Sequence, residues 1–261
     1  MSKLLVDAGR LCATFHDDQV RGVKARRVHV DEIWSFTYAK KKNATQKIAE
    51  AHEGAGDTWT WTAIDADSKL AISWLVGGRN LEYAVPFMND LRSRLVNRVQ
   101  LTSDGHRAYL EAVEGAFGME VDYVQLVKIY GAASTEDQRR YSPAECIGCI
   151  PTRVTGDPDP KHISTSYAER QNLTMRMHMR RFTRLTNAFS GKIGNHIHMV
   201  ALYTVFYNFT KIHKTLRVTP AMAAGLTDRV MDMADVVVLL DAAEKSQWRT
   251  SSGYSTEGGA R

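Results

Sequence analysis

The stretch Val28-His29-Val30-Asp31-Glu32-Ile33-Trp34-Ser35-Phe36 sets the terms for the rest of the chain. Apolar side chains alternate here at the period of a strand, and an acidic pair interrupts them where a buried sheet would take another apolar residue. A carboxylate on a central strand is costly to desolvate, so it calls for a role. Two other acids stand where they can join Asp31. Asp104 ends the short strand Val99-Gln-Leu-Thr-Ser-Asp104 just before Gly105, and Glu169 lies in a helix-forming segment. Three hard oxygen ligands suit Mg²⁺ or Mn²⁺, and a pair of such ions can serve phosphoryl transfer on DNA.

The surrounding pattern predicts a mixed sheet flanked by helices. Thr58 to Ile64 alternates without a break, and the turn Asp65-Ala-Asp-Ser68 leads into Lys69 to Val76, which predicts a hairpin beside the Asp31 strand. Asp65 and Asp67 read as turn formers rather than ligands. Gly77-Gly78 ends this unit, and Asn80 opens a helix with Met88, Leu91 and Leu95 on one face and Pro86 awkwardly inside. Val121 to Val127 reads as a fifth strand. Residues 128–165 contain Pro143, Pro151, Pro158 and Pro160, have no clean period and read as a long inserted loop. Helices are expected at Ser166 to Arg184, His196 to Phe209 and after Thr219-Pro220. Ala39 to Gly56, with Lys40-Lys41-Lys42, reads as a mobile loop able to touch phosphate.

Charge is unevenly placed. The chain carries +5, yet residues 161–217 hold ten Lys/Arg against the one acid Glu169, or +9, which leaves −4 for everything else. Such a field suits a polyanion, although a solvated basic helix face gives the same count. No apolar stretch is long enough to cross a bilayer and no export signal is visible, so a cytoplasmic, non-membrane protein is expected. Three cysteines, an odd number, fit a reducing compartment. Cys146-Ile-Gly-Cys149 with His162 downstream has the spacing of half a zinc site, or of two cysteines in a Pro/Gly-containing loop.

Glu169 admits two readings. Ser166-Tyr-Ala-Glu169 matches a capping box, in which the acid only bonds back to the helix start. Against that, Asn172, Arg176 and Arg180 recur at helical spacing on its face, where an amide and two arginines can position a phosphate beside metal ions. Glu32 should point to the opposite side of its strand and is read as a decoy or supporting group. His106 and His162 read as proton shuttles or plain loop residues, and Met175, Met177 and Met179 read as core or interface. No glycine-rich phosphate cradle and no nucleophilic Ser or Cys motif is present.

Four segments in order, Val30-Asp-Glu-Ile-Trp-Ser35, Thr102-Ser-Asp-Gly-His-Arg-Ala-Tyr109, Ser164-Thr-Ser-Tyr-Ala-Glu-Arg-Gln-Asn-Leu-Thr-Met-Arg176, and Tyr207-Asn-Phe with His213-Lys-Thr-Leu216 and Thr219-Pro220-Ala, resemble the DDE transposases of bacterial insertion sequences, most closely the insertion sequence one type. The resemblance spans roughly residues 28–225. It implies an α/β, ribonuclease H-like fold with a five-stranded mixed sheet and a C-terminal helical extension. It maps the catalytic, metal-binding acids onto Asp31, Asp104 and Glu169, with two Mg²⁺ or Mn²⁺ ions and Arg176 as the basic residue seven places after the Glu. It also implies cleavage at transposon ends, attack of the freed 3′-hydroxyl on target DNA, a homo-oligomer on double-stranded DNA and a bacterial, nucleoid-associated location. Arg170, Asn172, Arg176, Arg180, Arg181, Arg184 and Lys214 are the expected DNA contacts. The expected division is a lead-in helix and basic segment at 1–27, the catalytic domain at 28–225, a helix at 226–245 and a disordered tail at 246–261. Since the family usually carries an N-terminal DNA-reading domain, the resemblance implies either that end recognition comes from a separate protein or that the chain is a fragment. Two alternatives stay open, a nuclease without strand transfer and a non-catalytic DNA-binding derivative. Asp104→Asn should abolish joining, abolish cutting, or leave function unchanged under the three readings.

Overall fold

The computed structural model describes residues 2–131, 146–183 and 187–252. Helix α1 (Ser2–Gln19) leads into β1 (Arg27–Thr37), a short helix α2 (Gln46–Ala51) and the hairpin β2 (Gly56–Asp65) and β3 (Ala71–Gly77). There follow α3 (Leu81–Arg94), β4 (Val99–Asp104), α4 (Ala108–Phe117), β5 (Val121–Tyr130) and β6 (Cys146–Thr155). Helices α5 (Ser166–His178), α6 (Ile193–Val205), α7 (Pro220–Ala223) and α8 (Met233–Ser252) complete the chain. The sheet has the order β3-β2-β1-β4-β5-β6. Strands β1, β4 and β5 run parallel, and β2, β3 and β6 pair antiparallel to their neighbours. The architecture is broadly ribonuclease H-like.

The alternation in β1 sorts its side chains onto two cores. Val28 and Val30 pack with Trp61, Phe87, Leu91 and Tyr109 under α3 and α4, whereas Ile33 packs with Met175, Phe182 and Val200 under α5 and α6. Asp65 closes the hairpin as expected of a turn former, accepting hydrogen bonds from the Ser68 N–H and hydroxyl at 2.9 and 2.5 Å. Helix α1 crosses α6 closely, since a Cβ on Gly9 would lie 2.3 Å from the His198 Cβ. Buried Asn208 matches the start of β3 bond for bond. Its Oδ1 accepts from the Ala71 N–H at 3.0 Å and its Nδ2 donates to the Ala71 carbonyl at 2.9 Å.

The sequence expectations need several corrections. The sheet has six strands rather than five, because β6 forms inside the segment read as a loop. It is an edge strand exposed along most of its length, so no inward face marks it, and Pro151 is tolerated at an edge. Lys41–Asn43 and Gln46–Ala51 are helical turns within the segment read as a mobile loop. Pro86 sits inside α3 without ending it. Helix α5 stops at His178, six residues early, as the chain becomes extended at Met179 and buries Met179 and Phe182. Helix α6 begins at Ile193 and passes into a wider turn at Phe206–Thr210. Thr219 does cap α7, its hydroxyl accepting from the Met222 N–H at 3.2 Å. The last helix runs to Ser252, past the boundary expected at 245. Residues 253–261 of the expected tail lie outside the described residues. Among the described residues no helix is long and apolar enough to cross a membrane.

Candidate metal centre

Parallel pairing of β1 with β4 places the first two acids. His29 is opposite Thr102, so two residues further along each strand Asp31 and Asp104 lie side by side. The Glu32 N–H donates to Asp31 Oδ1 at 2.8 Å, and the Asn172 amide of α5 donates to Asp31 Oδ2 at 2.8 Å. Burial pushes the Asp31 carboxyl up to about 6, Asp104 and Glu169 push the same way, and the Glu32 N–H and Lys128 oppose them. Asp104 Oδ1 accepts the His106 N–H at 2.9 Å, as the chain turns at Gly105.

Glu32 is part of the centre. Strand alternation does put it on the opposite side of β1 from Asp31, beside Tyr109 of α4, as expected. At the end of β4, however, that side is still within reach of Asp104. One carboxylate oxygen from each of Asp31, Glu32 and Asp104 lies within 4.8 Å of the other two. The Glu32 side chain is fully buried. Its Oε2 accepts from Arg79 Nε at 3.0 Å, and its Oε1 and the neighbouring Tyr109 hydroxyl have no hydrogen-bond partner of good geometry. Burial, and then the Asp104 charge, raise the Glu32 carboxyl to about 7. Arg79 also reaches Asp104 Oδ2 at 3.2 Å, so one guanidinium stands between two of the acids.

Glu169 shares one cleft of about 360 Å³ with Asp31, Asp104, Lys128 and Thr165. Both readings of its sequence context have a counterpart. It bonds back to the helix start, through the Thr165 hydroxyl at 2.5 Å rather than through a backbone N–H, and it faces the cleft. Burial would raise its pKa, but its ion pair with Lys128 and the Thr165 hydroxyl outweigh burial and the net shift is downward.

The expected DNA contacts divide. Arg170, Arg180 and Lys214 are exposed, and Arg176 is half-buried. Arg180 belongs to the turn after α5, not to the Glu169 face. Arg181 donates to the Ser190 hydroxyl at 2.8 Å. Asn172 is buried and spends its amide on Asp31. Arg184 lies outside the described residues. His106 packs against Trp61 and Tyr109 with its Nε2 buried and unpartnered, and His162 hydrogen-bonds Arg27. Cys146 and Cys149 are exposed with Sγ atoms 3.9 Å apart, and no third ligand gathers with them among the described residues. Arg79, Lys128 and Tyr109 were not singled out in the sequence. Arg79 follows a Gly-Gly break and Lys128 ends an alternating run, and neither position has a pattern that marks it.

No family model and no curated protein matches the chain. The geometry itself gives an α/β domain whose buried acid cluster can chelate one or two divalent cations. Close oxygens on a rigid strand pair, one of them from the fully buried Glu32 carboxylate, fit a hard ion such as Mg²⁺ or Mn²⁺. Such a centre supports metal-dependent, nuclease-like chemistry.

Proposed function

We propose that the protein is a DDE-type DNA transposase that cuts at transposon ends and joins the freed 3′-hydroxyl to target DNA. The observation that carries this reading is the meeting of Asp31, Asp104 and Glu169 in one cleft, on the two central parallel strands and a helix packed over them. The four motif segments and the basic 161–217 segment point the same way.

Asp31, Asp104 and Glu169 would hold the divalent ions, with Glu32 behind them. Bound there, the ions supply Lewis acidity and favour the deprotonated form of an attacking water or 3′-hydroxyl. Asn172 and the Glu32 N–H fix the Asp31 carboxylate, and the His106 N–H fixes that of Asp104, so little reorganisation is left for the reaction. Arg79 and Lys128 flank the cleft and can attract the scissile phosphate. A homo-oligomer would bring two ends together.

A strand-transfer assay tests this, using a pre-cut duplex with candidate terminal repeats, Mg²⁺ or Mn²⁺, and Asp31→Asn, Asp104→Asn and Glu169→Gln. Joining by the wild type that disappears in all three supports the proposal. Metal-dependent cutting without joining supports the nuclease reading, since the tight Asp31, Glu32 and Asp104 grouping would serve water as readily as a 3′-hydroxyl. Salt-sensitive binding that is unaffected in all three variants, with neither cutting nor joining, supports the DNA-binding derivative.

A further inference from the structure

Beyond the acid cluster, β1 and β2 continue as a two-stranded ribbon. The β4 partner ends at Asp104 and the β3 partner at Gly77, opposite Trp59. One face of the ribbon is closed, with Ile33, Ser35, Thr37, Thr58 and Thr60 all at most 2% exposed. The other face is aromatic and half open. Trp34 is paired in register with Trp59, and Phe36 with Asp57, one row further out. The Trp34 and Phe36 ring centroids are 5.9 Å apart, and Phe36 and the 38% exposed Phe189 are 5.1 Å apart, with planes inclined by only 38° and 31°. Cations sit at both ends, the Arg79 guanidinium 4.7 Å from the Trp59 centroid and the Lys40 ammonium 5.6 Å from that of Phe36. The acid in the outer row of this face, Asp57, accepts the Lys41 N–H at 3.2 Å.

We infer that Trp34, Phe36, Trp59 and Phe189 form a platform on which unpaired bases of a DNA strand stack beside the acid cluster. Rows on one face of a strand repeat every ~7 Å, close to the spacing of bases along an extended strand, and the platform starts one row from Glu32. Aromatic rings with cations at their ends take up bases and phosphates together and without sequence preference. A buried cross-strand aromatic pair would need neither the half-open faces nor the cations. The inference rests on the DNA reading proposed above and names the strand form that the centre receives.

The test compares binding of a thymidine oligonucleotide with an abasic oligonucleotide of equal length to the whole protein in EDTA, so that catalysis plays no part. The expected result is at least tenfold tighter binding of the base-bearing strand, with quenched tryptophan fluorescence. That preference should fall to about twofold or less in Trp34→Ala and Phe36→Ala and persist in Trp34→Phe, with the salt dependence unchanged. Phe189→Ala, on an exposed loop, supplies the reading if a strand variant fails to fold. Equal wild-type affinity for the two oligonucleotides, or a preference that survives the alanine variants, overturns the platform. So does an alanine variant that changes only the oligomeric state, since the face then meets a second copy. The two proposals separate, because base preference without metal-dependent cutting or joining removes only the transposase reading, and joining without base preference removes only the platform.

Discussion

Two clusters of acids in this molecule are balanced in opposite ways. Around Arg94, whose side chain is 6% exposed, the guanidinium holds Asp90 at 2.7 and 2.8 Å, Asp17 at 2.8 Å and the Val20 carbonyl at 3.0 Å, and Arg21 pairs with Asp17 from outside. Two acids meet two arginines. Burial pushes the Asp90 carboxyl up, but Arg94 and the Ser73 hydroxyl more than offset this and leave it below its usual range. At the candidate centre four carboxylates, Asp31, Glu32, Asp104 and Glu169, meet two cations, Arg79 and Lys128, and both Asp31 and Glu32 are pushed up. A carboxylate that serves the fold arrives with its own cation. The Asp31 cluster is short of positive charge, a deficit that divalent ions would remove.

The difference can be tested from either side. The largest effect is expected from Asp31→Asn, which should lower metal-dependent turnover about 10³-fold, or ~4 kcal/mol in the barrier. The same change should make the metal-free protein more stable at neutral pH by about 1–2 kcal/mol, because it removes a charge that burial disfavours. Urea melts alongside the assay would show both, and a less stable variant with normal turnover would erase the contrast. Arg94→Met should do the reverse, costing about 3 kcal/mol of stability by leaving Asp90 without its cation and the Val20 carbonyl without its donor, while the surviving folded protein still turns over. Mg²⁺ at about a hundred times its dissociation constant should stabilise wild type by about 2.7 kcal/mol, with no effect on Asp31→Asn, as read by thermal melting with and without chelator.

A smaller effect concerns His16, which is buried beside the Arg94 cluster and hydrogen-bonds the Ala71 carbonyl at 3.2 Å. Burial, with Arg94, lowers it to about 4. Its folded pKa is below the unfolded value, so the unfolded chain takes up the proton first and stability is lost as pH falls from about 6.5 towards 4. Wild type should lose about 2 kcal/mol more than His16→Gln between about pH 7.5 and pH 5. An equal loss in both would place the sensitivity elsewhere. The smallest change is expected for Arg79→Gln, a loss of about 1 kcal/mol in the metal-free state that Mg²⁺ restores. A loss that Mg²⁺ leaves in place would make Arg79 a structural cation like Arg94.

Much of the fold was legible because its strands are amphipathic. Asp31 on β1, Asp104 at the end of β4 and the β2–β3 hairpin stand where the alternation and turn residues place them. Glu32 was underrated because alternation assigns a face but not how far that face extends, and here β4 stops just where both faces of β1 can reach Asp104. Helical spacing groups Asn172 with the expected DNA contacts, since it shows which residues share a side and not which of them is covered. Strand β6 escaped notice since an edge strand exposed on both faces has no inward period to detect, and α5 ends early for the sake of tertiary burial at Met179 and Phe182. Arg79 and Lys128 are brought to the acids by chain segments distant in sequence.

The pairing of Asn208 with Ala71 also bears on how the sheet meets other chains. Ala71 opens β3, an edge strand, and the Asn208 amide already supplies it with the donor and acceptor that an incoming strand would bring. That end of the edge is blocked by a side chain acting as a one-residue strand. At the far edge β6 keeps Ile147, Ile150 and Val154 exposed, at 67%, 52% and 40%. A strand added at the Ala71 end of β3 would have to displace the Asn208 amide before it could pair, next to the hairpin that carries Trp59.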